Sequence, residues 1–282
     1  MSGDEDKGSA PARSHGRLRP SVSRQPRALM EGPPRLAGAW CAKVITLFPE
    51  AFPGTLGLSL TGRALEQGLW ALDPVDLRPF GEGRHRNVDD TPAGGGPGMV
   101  LRADVIARAL DVAQAGESDR ARWPLVCLSP RGARFDQTMA HRFAAGDGIT
   151  LICGRFEGLD ERAIEHFGMQ EVSLGDFVMT GGEIAATALI DATVRLIPRV
   201  LGNQASVEDE SFAAGLLEHP QYTKPAVWEG RAIPEVLLSG NHAKIAAWRR
   251  EMAERLTKER RPDLWRAYRE QRGGDPDRDQ EL

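Results

Sequence analysis

The sequence predicts an α/β protein built on a parallel sheet, and three observations carry that prediction. The chain opens strand, helix, strand, an order that favours parallel pairing. Two later apolar runs, 124–130 and 149–158, are continuous rather than alternating, as strands covered on both faces must be. Segments of helical spacing follow these runs and can serve as the crossovers that parallel strands require.

The composition bounds the rest. Of 282 residues, 41% are hydrophobic and 27% charged, with a net charge of -4. That is ordinary for a soluble globular protein and gives no whole-chain sign of nucleic acid. The charge is unevenly placed, however: residues 244–272 hold ten basic groups against five acids. Cys41, Cys127 and Cys153 lie in or beside apolar runs and form no C-x-x-C pair. They read as buried thiols in a reducing compartment, not as disulfides or zinc ligands. No apolar run approaches the roughly 18–20 residues of a membrane helix, and no secretory leader is visible. A cytoplasmic protein is the expectation.

Taken in order, residues 1–38 are rich in Ser, Pro, Gly and Arg and lack apolar periodicity, so a disordered extension is expected. Either a dispensable tail or a basic arm fits that composition. Residues 42–48 form the first strand, ended by Pro49; 55–69 carry helical spacing; 75–79 read as a second strand. The span from Arg84 to Met99 contains His85, Asp89, Asp90 and a glycine run, and its glycines and prolines argue against regular structure. It is a flexible loop or a binding loop, and no Gly-Lys-Ser/Thr follows to make it a P-loop. Helices are expected over 102–115, 135–145 and 159–167, between strands 124–130, 149–158 and the run from Glu171. Thr180 and Glu183 have the spacing of a capping box, starting a helix that runs to Ile197 before Pro198. Residues 201–211 are an acidic linker. Residues 212–272 are expected to form a small, mostly helical second domain, and 273–282 a tail.

Three strand ends, Leu128-Ser-Pro130, Cys153-Gly-Arg155 and Leu174-Gly-Asp176, carry loop residues. In an open α/β sheet, ligands bind outside the carboxyl ends of strands. Together with Gly94-Gly-Gly-Pro-Gly-Met99, Gly181-Gly-Glu183, Leu201-Gly-Asn203 and Leu237-Leu-Ser-Gly-Asn-His242, these motifs closely resemble the bacterial tRNA (guanine-N1)-methyltransferase family, of the SPOUT class. The resemblance covers roughly residues 40–265. It implies a deep trefoil knot in the α/β domain, 39–200, followed by a helical tRNA-binding domain.

By that resemblance the knot loops hold S-adenosyl-L-methionine. Leu128, Ser129, Pro130, Gly154, Glu157, Leu174, Gly175, Asp176, Phe177, Val178, Met179, Gly181 and Gly182 would line the pocket. The resemblance also implies a homodimer with shared active sites, a tRNA anticodon stem-loop as partner, and His85, Asp89 and Asp90 facing the target nucleotide. Arg195 would stand beside guanine O6, and an acid in the linker would remove the N1 proton. The family typically has Glu-Asp-Ser-Phe, whereas this chain has Glu208-Asp209-Glu210-Ser211-Phe212. Position selects Glu210 and residue type selects Asp209; Asp209 is the expected base. The family is associated with Mg²⁺, but no ligand cluster is visible in the sequence. The competing readings are a SPOUT methyltransferase acting on another RNA and a non-catalytic RNA-binding protein of the same fold.

Overall fold

The computed structural model describes residues 36–114, 119–201, 210–212 and 214–272. At its centre lies a sheet of strands β1 (Trp40–Thr46), β2 (Trp70–Asp76), β5 (Leu125–Arg134), β6 (Gly148–Cys153) and β7 (Gln170–Ser173). Their order is β2-β1-β6-β5-β7, and every pairing is parallel. Two apolar layers explain the continuous hydrophobic runs. On one face Ala42, Val44, Val126, Leu128 and Leu151 pack with helices α1 (Ser59–Glu66), α3 (Gln137–Ala144) and α5 (Glu183–Val194). On the other, Ile45, Leu125, Cys127 and Ile152 meet α2 (Ala103–Ala113) and α4 (Glu161–Phe167). Alternate residues of one strand therefore serve opposite cores, and neither face is left polar. Pro74, which cannot donate to a ladder, sits in β2 at the sheet edge.

Several boundaries differ from the sequence reading. The helix expected over 55–69 is a 3-10 turn, Gly54–Gly57, followed by α1; Ser59, at φ 54°, turns the chain between them. Ser129-Pro130 does not end β5. The register shifts between Leu128 and Ala133, and the strand then rejoins β7 beside Val172. Gly132 permits this approach, since a Cβ there would lie 2.6 Å from the Glu171 carbonyl oxygen. The glycine-rich loop is not wholly irregular: β3 (Asp89–Asp90) pairs antiparallel with β4 (Val100–Leu101) around it.

The capping box is absent. The residue before α5 is Gly182, which makes no side-chain cap, and Glu183 is the first helical residue. Its carboxylate is taken by Thr46 and Arg155 instead, stronger partners than a helix amide exposed to water.

Residues 214–272 hold a hairpin, β8 (Val227–Trp228) and β9 (Arg231–Ala232), which the sequence reading missed. Three helices follow: α6 (Glu235–Leu238), α7 (His242–Arg260) and α8 (Pro262–Gln271). Asn241 caps α7 by accepting from the Lys244 amide at 3.1 Å, and Pro262 opens α8, where its missing N–H costs nothing. Trp248 meets the rings of His219 and Tyr222, and buried Tyr268 bonds Glu254 across α7 and α8 at 3.1 Å. No helix among the described residues is long and apolar enough to cross a membrane.

Candidate active site

The carboxyl ends of β5, β6 and β7 open onto one cavity of about 360 Å³. Its walls are the three strand-end loops. Every residue that the family resemblance assigned to a cofactor pocket lines it except Gly175 and Asp176. Those two fall outside for local reasons. The Ser173 hydroxyl bonds both the Gly175 amide (3.1 Å) and its carbonyl (3.0 Å), folding the turn onto itself. The Asp176 side chain is 92% exposed and pairs outward with Arg134 at 3.1 Å.

The loops are tied to one another by backbone. The Gly182 amide donates to the Gly154 carbonyl at 2.9 Å, and a Cβ at Gly182 would lie 2.7 Å from Cys153 Cα. Glycine is required there for α5 to start against the end of β6. Beside this junction the Arg155 guanidinium pairs with buried Glu183 at 2.8 Å and stacks over Phe48 at 4.4 Å. Glu183 also accepts from the Thr46 hydroxyl at 2.7 Å. Thr46, at the end of β1, thus joins that strand to the helix start.

Across the cavity Arg131 bridges Glu161 (2.9 Å) and Glu171 (3.0 Å), holding α4 to β7. Arg155, Arg131 and Glu171 line the cavity but were missed in the sequence. The signal for Arg155 was available, since it stands in a motif loop, but its partner Glu183 was read as a cap. The Cys127 thiol also belongs to the wall, and burial together with the Glu171 charge pushes it up to about 12.

The remaining candidates stand elsewhere. Arg195 follows the last residue of α5 and bonds Glu210 at 2.6 Å. Its guanidinium holds the Glu210 carboxyl below the usual carboxylate range, first through the hydrogen bond and then through its charge. Asp209 lies outside the described residues. His85 is exposed, Asp89 half-buried in β3, and Asp90 lines a separate open cleft with α2 and α4; none of the three lines the strand-end cavity. Among the described residues, no group of three or more His, Cys, Asp or Glu is placed to hold a metal ion.

The arrangement offers a half-open, partly apolar pocket whose charged wall residues are the carboxylates Glu157 and Glu171 and the guanidiniums Arg131 and Arg155. Comparison with known proteins adds the family. Residues 41–267 match the family described as tRNA (Guanine-1)-methyltransferase TrmD. A protein of Cereibacter sphaeroides named tRNA (guanine-N(1)-)-methyltransferase is 72% identical over 248 residues, 88% of this chain and 100% of its own length. Proteins of the same name from Ruegeria sp. and Rhodopseudomonas palustris are 70% identical over 239 residues and 61% over 228. These cover 85% and 81% of this chain, and 97% and 90% of the relatives. With the match running from β1 into α8, the chain belongs to the tRNA (guanine-1)-methyltransferase family.

Proposed function

We propose that this chain transfers the methyl group of S-adenosyl-L-methionine to N1 of the guanine 3′ of the tRNA anticodon, guanine 37. The observation that carries the reading is the convergence of the three motif loops on one cavity at the sheet's carboxyl edge. When bound there, S-adenosylmethionine supplies a methyl group already activated on a positively charged sulfur. The chain's own residues fit it: Leu128, Leu159 and Leu174 give apolar walls for a ring, and Glu157 places a carboxylate in the wall, whereas Glu171 is already paired with Arg131.

The protein's task is then positioning and proton removal. Guanine N1 carries a proton when neutral, so it is a poor nucleophile until a base accepts that proton. Negative charge develops on O6 as it leaves, and a guanidinium at that point stabilises it. Arg195 fits the second role. For the first, Glu210, the acid that position selects, stands against Arg195 and is held ionised, which supports it as the base; Asp209 lies outside the described residues.

The same reading includes a homodimer with shared sites. The 12 residues of α5 separate Glu183, beside the cavity, from Arg195, a span of about 18 Å at helical rise. Methyl transfer needs contact, so a second copy bringing its own Arg195 and Glu210 to the cavity accounts for the separation. Exposed apolar side chains at the rim, Phe156, Phe177, Val178 and Ile184, support a covering partner. The SPOUT knot belongs to the proposal too. Residues 174–181 leave the edge strand β7 and bridge to Arg155 beyond β6, a path compatible with threading. So does the division into a knotted domain and a tRNA-binding domain, whose basic α7 and α8 suit phosphate contacts. A ring nitrogen inside a stacked anticodon loop also has to be everted to reach the cavity.

The test is transfer of labelled methyl to tRNA transcripts with and without guanine at position 37. Labelling of the guanine transcript alone is expected. Equal labelling of both sinks the assigned target, and no labelling of any RNA sinks the enzyme reading.

A further inference from the structure

The glycine-rich strip 94–99 does not hang free beside the cavity. The Glu157 amide donates to the Met99 carbonyl, the Leu101 amide to Gly158, and the Asp160 amide to Leu101, each at 2.9 Å. Leu101 and Leu159 thereby form a parallel bridge between the β3–β4 loop and the cavity loop. The backbones of the two loops are fixed against each other on both sides of Glu157. Between them Gly98, at φ 89°, faces the Glu157 side chain. A Cβ at Gly98 would stand 2.5 Å from Glu157 Cγ and 2.8 Å from its carboxyl carbon, closer still to Oε1. By contrast Gly95, at φ 84°, has nothing within 4 Å of its hypothetical Cβ.

We infer that Gly98 is a positioning residue: its missing side chain lets the loop close on Glu157 and sets where that carboxylate stands in the cavity wall. The inference rests on the proposed cofactor role of the cavity. Since the Glu157 backbone is held by hydrogen bonds, the nearest atoms an added methyl at Gly98 would displace are those of the Glu157 side chain from Cγ outward. The cost of the substitution therefore appears in the pocket. Strand β3, with Asp89 and Asp90, is in turn paired to β4, whose Leu101 belongs to this ladder.

The experiment compares Gly98→Ala with Gly95→Ala, which imposes the same left-handed backbone strain without the contact. Binding of S-adenosylmethionine to the full chain is read by calorimetry, and thermal unfolding is followed in parallel. Gly98→Ala is expected to raise Kd by about tenfold, Gly95→Ala by less than about twofold. In a Glu157→Ala background Gly98→Ala should add less than about twofold, the signature of coupled neighbours. Equal effects of the two glycine substitutions, or additive effects of Gly98→Ala and Glu157→Ala, overturn the inference. Should Gly98→Ala fail to fold, pairing it with the shorter Glu157→Asp must restore folding, and failure to do so also overturns it. Wild-type methyl transfer to tRNA, measured on the same preparation, separates this outcome from failure of the functional reading.

Discussion

Glu210 and Arg195 show how much one ion pair decides at the residue scale. Each side chain is 29% exposed, so the pair is neither buried nor fully screened. A carboxyl whose folded pKa is depressed contributes stability above its unfolded pKa and loses it as pH falls through the folded value. Glu210→Gln is therefore expected to be less stable than wild type by about 1 kcal/mol at neutral pH. The gap should close as pH falls below the ordinary value of 4.5, read from urea midpoints. The same substitution should lower kcat by about 100-fold, within the range for a lost general base, and leave cofactor Kd nearly unchanged. Asp209→Ala should do far less; the opposite ranking would return the proton-accepting role to Asp209. The family resemblance implied an acid near this point, and the run of three acids in the sequence offers no local feature to choose among them.

At the scale of elements, the start of α5 depends on side chains from β1 and from the loop after β6. Glu183→Ala would leave Arg155 and the fully buried Thr46 hydroxyl without their partner. A loss of about 3 kcal/mol in chemical unfolding is expected, near the low end for a broken buried pair because Arg155 keeps some access to water. A change below about 0.5 kcal/mol, the scale of an ordinary surface substitution, would show that Arg155 and Thr46 find water instead. The element boundaries show what was readable. Strand β6 was legible because all six of its residues are buried, which demands an unbroken apolar run. The two-residue strands of β8 and β9 have no periodicity to read. The continuation of β5 past Pro130 is set by β7, which lies some forty residues further on, so no local pattern announces it. Glu183 was misread for a related reason: a local spacing suggested a local partner, and a distant one won.

Over the whole molecule, the parallel sheet and its alternating helices were legible, and the family resemblance supplied about half of the cavity wall; residues such as Arg131 and Glu171 were not legible because strand register and ion pairs between distant segments bring them there. The family match begins at residue 41 and the Cereibacter relative is covered completely by 248 residues of this chain. Deleting residues 1–35 should accordingly leave Tm and methyl-transfer kcat/KM unchanged, and a large loss of tRNA affinity would assign that segment to RNA binding. Affinity for tRNA should fall steeply with salt, as it does when lysines and arginines displace counterions from phosphates. The chain's three cysteines, Cys41, Cys127 and Cys153, are all buried in central strands of the sheet. Sulfur is the most nucleophilic atom a protein carries, and a methyl sulfonium is an alkylating agent, so a thiol in the wall of such a pocket invites self-inactivation. With the Cys127 thiol pushed up to about 12, only on the order of one molecule in 10⁵ carries the reactive thiolate at pH 7. On the proposed cofactor role of the cavity, the low polarity that packs the sheet also keeps this thiol from being alkylated, and native protein should resist iodoacetamide until it is unfolded.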